Sequence, residues 1–156
     1  MAAGAEAPVR IAVLNGPNLN LLGTREPELY GRTTLPELEA HLADVARELG
    51  VELECAQRNG EGDLIDLVHG FRGRMDGAVV NAGAYSHTSL ALRDAFVGVS
   101  LPFVEVHVTN VYSRGPERRH SMLAPAAVGV IVGMGTAGYE LALRGLVAHL
   151  YAKGAG

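Results

Sequence analysis

Cysteine, lysine and aromatic residues are scarce in this 156-residue chain, and each scarcity removes a class of chemistry. A single cysteine, Cys55, excludes an internal disulfide framework and fits a reducing compartment, so a cytoplasmic location is expected. Val51, Leu53 and Cys55 alternate along one stretch, which reads Cys55 as a small buried apolar side chain. The one lysine, Lys153, stands within the last four residues, which removes a buried Schiff-base lysine. Six histidines include no HExxH or comparable ligand spacing, and no second cysteine can help build a structural zinc site. No phosphate-cradling GxxxxGK(S/T) is present. The formal net charge of −4 argues against a partner recognised by its phosphate backbone, so no nucleic acid is expected. No apolar run approaches the ~18 residues that span a bilayer, so no membrane partner is expected. MAAGAEAP at the start lacks a basic region followed by an apolar core. It reads as part of a short disordered tail over residues 1–9 and not as a signal peptide.

What is present is compact α/β material. Hydrophobic residues make up 48% of the chain, enough to build one core in a single domain over residues 10–152, with a short tail at 153–156. RIAVLN (10–15) reads as a buried strand. TLPELEAHLADVARELG (34–50) reads as a helix, with Thr34 and Glu37 as a capping box and Gly50 as its stop. VELECAQ (51–57) alternates as a second strand, and GDLIDLVHGF (62–71) reads as a helix that Gly70 interrupts. GAVVNAG (77–83) is a third strand, followed by a helix near 88–96 capped by Ser86 or Thr88. PFVEVHV (102–108) is a fourth strand, leading into an arginine-rich loop to His120. VGVIVG (128–133) is a fifth, and residues 137–152 form the last helix. Strands alternating with helices predict a three-layer, flavodoxin-like sandwich with a five-stranded parallel sheet in the order 2-1-3-4-5.

In such sheets ligands bind beyond the carboxyl ends of the strands. Asn15 and Asn18, Gln57 and Asn59, Asn81 and His87, and His107 and Asn110 fall there, so four strands are expected to deliver polar groups to one edge. GMGTAG (133–138) has the GxGxxG form after a strand. Only 18 residues follow Gly138, too few for the second strand and acidic residue that dinucleotide binding requires, so the segment reads as a tight turn. What remains is acid–base chemistry without a cofactor.

Tyrosine is a poor base near neutral pH unless a cation favours its phenolate form. Arg25, five residues before Tyr30 on one glycine-punctuated loop, can supply that cation if the loop folds back. Spacing alone leaves the other reading, a surface tyrosine packed over its loop. Glu105 and His107 lie two apart on a strand and face the same way. The pair reads either as an oriented general acid or as a structural ion pair. Arg114, Arg118 and Arg119 present carboxylate-binding forks or a solvated basic loop. The amides of Val108 and Thr109 are candidates to hold a substrate carboxylate. His41, His69 and His149 read as ordinary helix-face residues.

VLNGPNLNLLGTREPELYG, NAGAYSHTSLALRDA, VEVHVTNVYSR and RRHSMLAPAAVGVIVGMGTAGYELAL, in this order across roughly residues 10–150, resemble the type II 3-dehydroquinate dehydratases of the shikimate and quinate pathways. The resemblance implies a cofactor-free anti elimination of water from 3-dehydroquinate, giving 3-dehydroshikimate through an enolate. Carried onto this chain, it implies Tyr30 as the base, Arg25 holding it as phenolate, His107 as the acid, and Glu105 orienting His107. Asn18 would stabilise the enolate oxygen by way of a water. Asn81, His87, Asp94 and Arg118, with the amides of Val108 and Thr109, would bind the substrate, and Arg114 would neighbour a mobile lid carrying Tyr30. It also implies a homododecamer, a tetramer of trimers. Thr109, Glu117, Arg58 and Gly60 depart from the family pattern without touching the base or the acid. Two competing expectations are the same fold acting on another hydroxylated cyclic acid, and a non-catalytic flavodoxin-like binding module. Asn15 and Asn81 stand where a phosphoacceptor module needs acids, and the aromatic stacking and Ser/Thr-rich loop of a flavin module are missing.

Overall fold

A computed structural model describes residues 7–154 of the chain. Residues 1–6 of the expected N-terminal tail and residues 155–156 of the C-terminal one lie outside the described residues. Val9, assigned to the tail from sequence, belongs to the core instead: it is buried, and its carbonyl accepts from the Glu52 amide at 2.9 Å.

Five parallel strands form one sheet in the order β2-β1-β3-β4-β5. They are β1 (Arg10–Asn15), β2 (Glu52–Gln57), β3 (Gly77–Asn81), β4 (Phe103–His107) and β5 (Gly129–Val132). The helices are α1 (Pro27–Tyr30), α2 (Leu35–Leu49), α3 (Glu61–Phe71), α4 (Leu90–Gly98) and α5 (Ala137–Ala152). The flavodoxin-like order expected from right-handed crossovers is the observed one.

Strand alternation divides the core into two layers. Ile11, Val13, Val79, Val104 and Val106 pack against Leu38, Leu42 and Val45 of α2 and against Leu143, Leu146 and Leu150 of α5. Ala12, Leu14, Ala78, Val80 and Phe103 point the other way, onto Leu64, Val68 and Phe71 of α3 and Leu92 and Phe96 of α4. Each fully buried large aliphatic side chain contributes roughly 1.5–3 kcal/mol. Glu105 and His107 share the face of Phe103, so the pair projects to the α3/α4 side of the sheet.

Local signals set the helix boundaries. The Thr34–Glu37 capping box forms reciprocally, and Gly50 ends α2 at φ +71°. Four details differ from the sequence expectations. The cap of α4 is Ser89, whose Oγ accepts from the Leu92 amide at 2.9 Å, because residues 83–87 first make a 3₁₀ turn. The third strand stops at Asn81 for the same reason. Gly70 does not interrupt α3: it lies on an open face, while Leu64, Val68 and Phe71 hold the helix to the sheet. Cys55 is half-buried, since β2 is an edge strand with one neighbour. Among the described residues, no helix is long and apolar enough to cross a membrane.

Candidate active site

Beyond the carboxyl ends of β1, β3 and β4 lies a cavity of about 130 Å³, lined among others by Asn18, Arg25, Tyr30, Asn81, His87 and His107. A wider hollow of about 540 Å³ near Arg10, Glu52 and Arg74 opens at the amino ends of the strands, where Arg74 is paired with Glu54. The smaller cavity is the chemical candidate. It stands at the edge where parallel sheets bind ligands, and it gathers titratable side chains from several elements.

Backbone approach builds its floor. The Gly16 amide donates to the Asn81 carbonyl at 2.8 Å, and a Cβ at Gly16 would come within 2.4 Å of the Ala82 carbonyl oxygen. Only glycine lets the loop after β1 cross the end of β3 this closely. Asn18 follows at φ +70°, and its amide donates to Asn59 Oδ1 at 3.0 Å.

The loop then carries Arg25 into the short helix α1, entered through Glu26 at φ +45° and left through Gly31 at φ +83°. The Arg25 guanidinium carbon lies 5.1 Å from the centre of the Tyr30 ring, so the loop does fold back. Arg114, reaching in after β4, places a second guanidinium 5.6 Å from the same ring. Two cations thus lie within about 6 Å of the centre of one half-buried phenol ring.

On β4, Glu105 is fully buried and hydrogen-bonds to His107 Nε2, while His107 lines the cavity. His87 stacks on His107 with ring centres 6.0 Å apart and planes inclined by 20°. Its Nδ1 donates to the His120 carbonyl at 2.8 Å, which leaves Nε2 as the free ring nitrogen. Asn81 Oδ1 accepts from the Gly83 amide at 3.1 Å and Nδ2 donates to the Tyr139 hydroxyl at 2.8 Å, so one Nδ2 proton is left for a ligand. The Tyr139 hydroxyl donates onward to Asn15 Oδ1 at 2.6 Å. Burial pushes the Tyr139 phenol well above its ordinary range, and it acts as a neutral connector.

The cavity thus brings together Tyr30, Arg25, His107, Asn18, Asn81, His87, Val108, Thr109, Arg114 and Arg118, all named from sequence. Glu105 sits behind His107. Asp94 is not brought in: it lies exposed on α4, outside the cavity of its own chain. Nor do all four strand ends supply cavity groups. Asn15 is fully buried. Gln57 donates to the Gly16 carbonyl at 3.0 Å and to Asn59 Oδ1 at 3.0 Å, bracing the loop after β1 from behind. Asn110 caps a 3₁₀ turn through the Tyr112 amide at 3.1 Å.

Arg114, expected beside the loop that carries Tyr30, lies against the Tyr30 ring. Two contributions escape the sequence reading. Tyr139 sits in an apolar helical pattern that hides its hydroxyl. Ser121, inside the RRHS segment, donates to Glu105. Among the described residues, no group of three His, Cys, Asp or Glu side chains is arranged to hold a metal ion.

The family model that matches the chain is that of dehydroquinase class II, over residues 9–147. A 3-dehydroquinate dehydratase of Gemmatimonas aurantiaca is 63% identical over 143 residues, covering 92% of this chain and 94% of that protein. A catabolic 3-dehydroquinase 2 of Aspergillus flavus is 54% identical, covering 90% and 93%. The crystal structure of a type II dehydroquinase from Propionibacterium acnes superposes with a TM-score of 0.85 at 40% identity, over 91% of this chain and 99% of that one.

Proposed function

Because the chain belongs to the class II dehydroquinases, a family of hydro-lyases, we propose that its cavity eliminates water from 3-dehydroquinate by a tyrosinate base and a histidine acid. Dehydratase activity follows from the family. The observation that carries the proposal is that Tyr30, with two guanidinium groups beside its ring, and His107, backed by Glu105, line the same cavity.

Tyr30, as phenolate, takes the C2 proton. The C2–H electron pair moves toward C3, and the C3 carbonyl becomes an enolate oxygen. Arg25 and Arg114 place two positive charges beside the base. Asn18 stabilises the enolate oxygen by way of a water. The enolate pair then forms the C1–C2 double bond, the C1–O bond breaks, and the departing oxygen takes a proton from His107 and leaves as water. Base and acid have then exchanged protonation states, and one proton passing between them through solvent resets the site. Asn81, His87, Arg118 and the amides of Val108 and Thr109 orient the ring hydroxyls and carboxylate. Asp94 would reach a substrate only from a neighbouring copy.

That need for a neighbour fits the expected dodecamer. Val128 and Val130, 43% and 41% exposed on and beside the edge strand β5, and Met134, 57% exposed, are apolar surface suited to subunit contact. Light scattering should give a particle of twelve times the 16.4 kDa chain mass.

The direct test follows ultraviolet absorbance on mixing the enzyme with 3-dehydroquinate, with EDTA present and again after borohydride treatment with substrate. An enone absorbance that grows despite both treatments supports metal-free chemistry without a Schiff base. A folded protein that yields no enone would mean the cavity serves another hydroxylated cyclic acid.

A further inference from the structure

Behind the Glu105–His107 pair lies a hydroxyl with every hydrogen-bonding capacity filled. Ser121 Oγ stands 2.9 and 2.8 Å from the two Glu105 carboxylate oxygens. It also accepts from the backbone amides of Leu123 at 3.1 Å and Ala124 at 3.0 Å. A serine hydroxyl has one proton and two acceptor lone pairs. The two amides occupy the lone pairs, so the proton can go only to Glu105.

Glu105, fully buried, accepts from Ser121 on one side and hydrogen-bonds to His107 Nε2 on the other. His107 Nε2 is thereby held against the carboxyl group, and Nδ1 is the ring nitrogen without a partner among the described residues. The same short segment holds the second imidazole of the cavity. The His120 carbonyl accepts from His87 Nδ1, and the Met122 amide donates to the Ser86 carbonyl at 2.6 Å. Residues 120–122 thus tie β4 to the turn that follows β3.

We propose that Ser121 is a positioning residue for the acid step, acting through Glu105 to hold the orientation of the His107 ring; this rests on the dehydratase reading above. Without the hydroxyl, Glu105 keeps one donor of two and its carboxylate is free to turn. His107 then presents its proton poorly to the departing C1 oxygen. Removal of the C2 proton by Tyr30, on a separate element, is untouched. The enolate should therefore return to substrate more often than it loses water.

That partition can be read in deuterium oxide. The reaction is stopped at partial conversion, and deuterium at C2 of the recovered 3-dehydroquinate is divided by product formed. The ratio does not depend on how much enzyme is folded. Ser121→Ala is expected to raise it on the order of tenfold, the scale of one lost hydrogen bond to a charged group. Ser121→Thr keeps the hydroxyl and should restore a ratio within about twofold of wild type. Ser121→Cys, a weak donor, should fall between the two and serves if the alanine variant does not fold. An unchanged ratio in the alanine and cysteine variants, even with lower kcat or Tm, would overturn the proposal by reducing Ser121 to a structural role. A wild-type enzyme that forms no enone would instead overturn the dehydratase reading, and this proposal with it.

Discussion

The hydroxyl of Tyr139, on the first turn of α5, donates to the side-chain oxygen of Asn15 at 2.6 Å across 124 residues of sequence, and accepts from Asn81 at 2.8 Å. One phenol thereby fastens the ends of β1 and β3, the two strands that frame the cavity floor.

Tyr139→Phe should leave two buried amide groups short of a partner and destabilise the fold by about 1–3 kcal/mol, measured by urea unfolding. Because Asn81 loses the bond that orients it, KM for 3-dehydroquinate should rise more than kcat falls. The wild-type phenol has a folded pKa raised above the unfolded value, so its contribution to stability is complete below pH ~10 and declines as pH rises beyond it. Equal stability of the two proteins would remove the clamp from the account.

Tyr30→Phe should cut kcat by orders of magnitude with the fold intact, since the ring remains and only the basic oxygen is lost. Arg25→Gln should lower kcat more than it changes KM, because the guanidinium acts on the base. Turnover near wild type in the first variant, or a change confined to KM in the second, would contradict these roles.

Cys55 should be nearly inert in the native protein. Burial, with Glu39 and Glu54 nearby, pushes its thiol up to about 12 from an ordinary value of 9.0. At pH 8 the thiolate fraction, and with it the rate of reaction with a disulfide reagent, should rise on the order of a hundredfold or more when urea unfolds the chain. The linkage has the same sign: the folded state keeps the proton longer, so this group's stabilisation is full below the unfolded pKa and weakens as pH rises toward 12. Rapid labelling of folded enzyme would contradict the burial.

Gly16→Ala should damage the floor of the cavity directly, since its Cβ would meet the Ala82 carbonyl oxygen at 2.4 Å and backbone cannot swing aside as a side chain does. A stability loss of about 1–3 kcal/mol, with a larger loss of kcat/KM, is expected from denaturation and steady-state kinetics. Gly70→Ala, in open space on α3, is the matched control and should be neutral or slightly stabilising.

Much of this was legible in the chain. The two-residue alternation of Ile11 and Val13 against Ala12 and Leu14 announces a strand covered on both faces, and Thr34, Glu37 and Gly50 mark both ends of α2. Glu105 and His107 could be paired because a strand's period puts alternate residues on one face. Gln57 and Asn59 stand at a strand end yet brace the loop after β1, because a polar residue there can hold backbone as readily as a ligand. The cap of α4 falls at Ser89, beyond Ser86 and Thr88, because the 3₁₀ turn before it delays the helix.

The sequence by itself determined the order of strands and helices, their two buried faces and the residue types available for acid–base chemistry, because these depend on periodicity and short-range capping. Only the tertiary structure decided which groups act together. That Arg114 faces Tyr30, that Tyr139 joins Asn15 to Asn81, and that Ser121 stands behind Glu105 are contacts between segments far apart in the chain. Such contacts follow from how the sheet twists and how the loops cross its edge. No local pattern of residues carries that information.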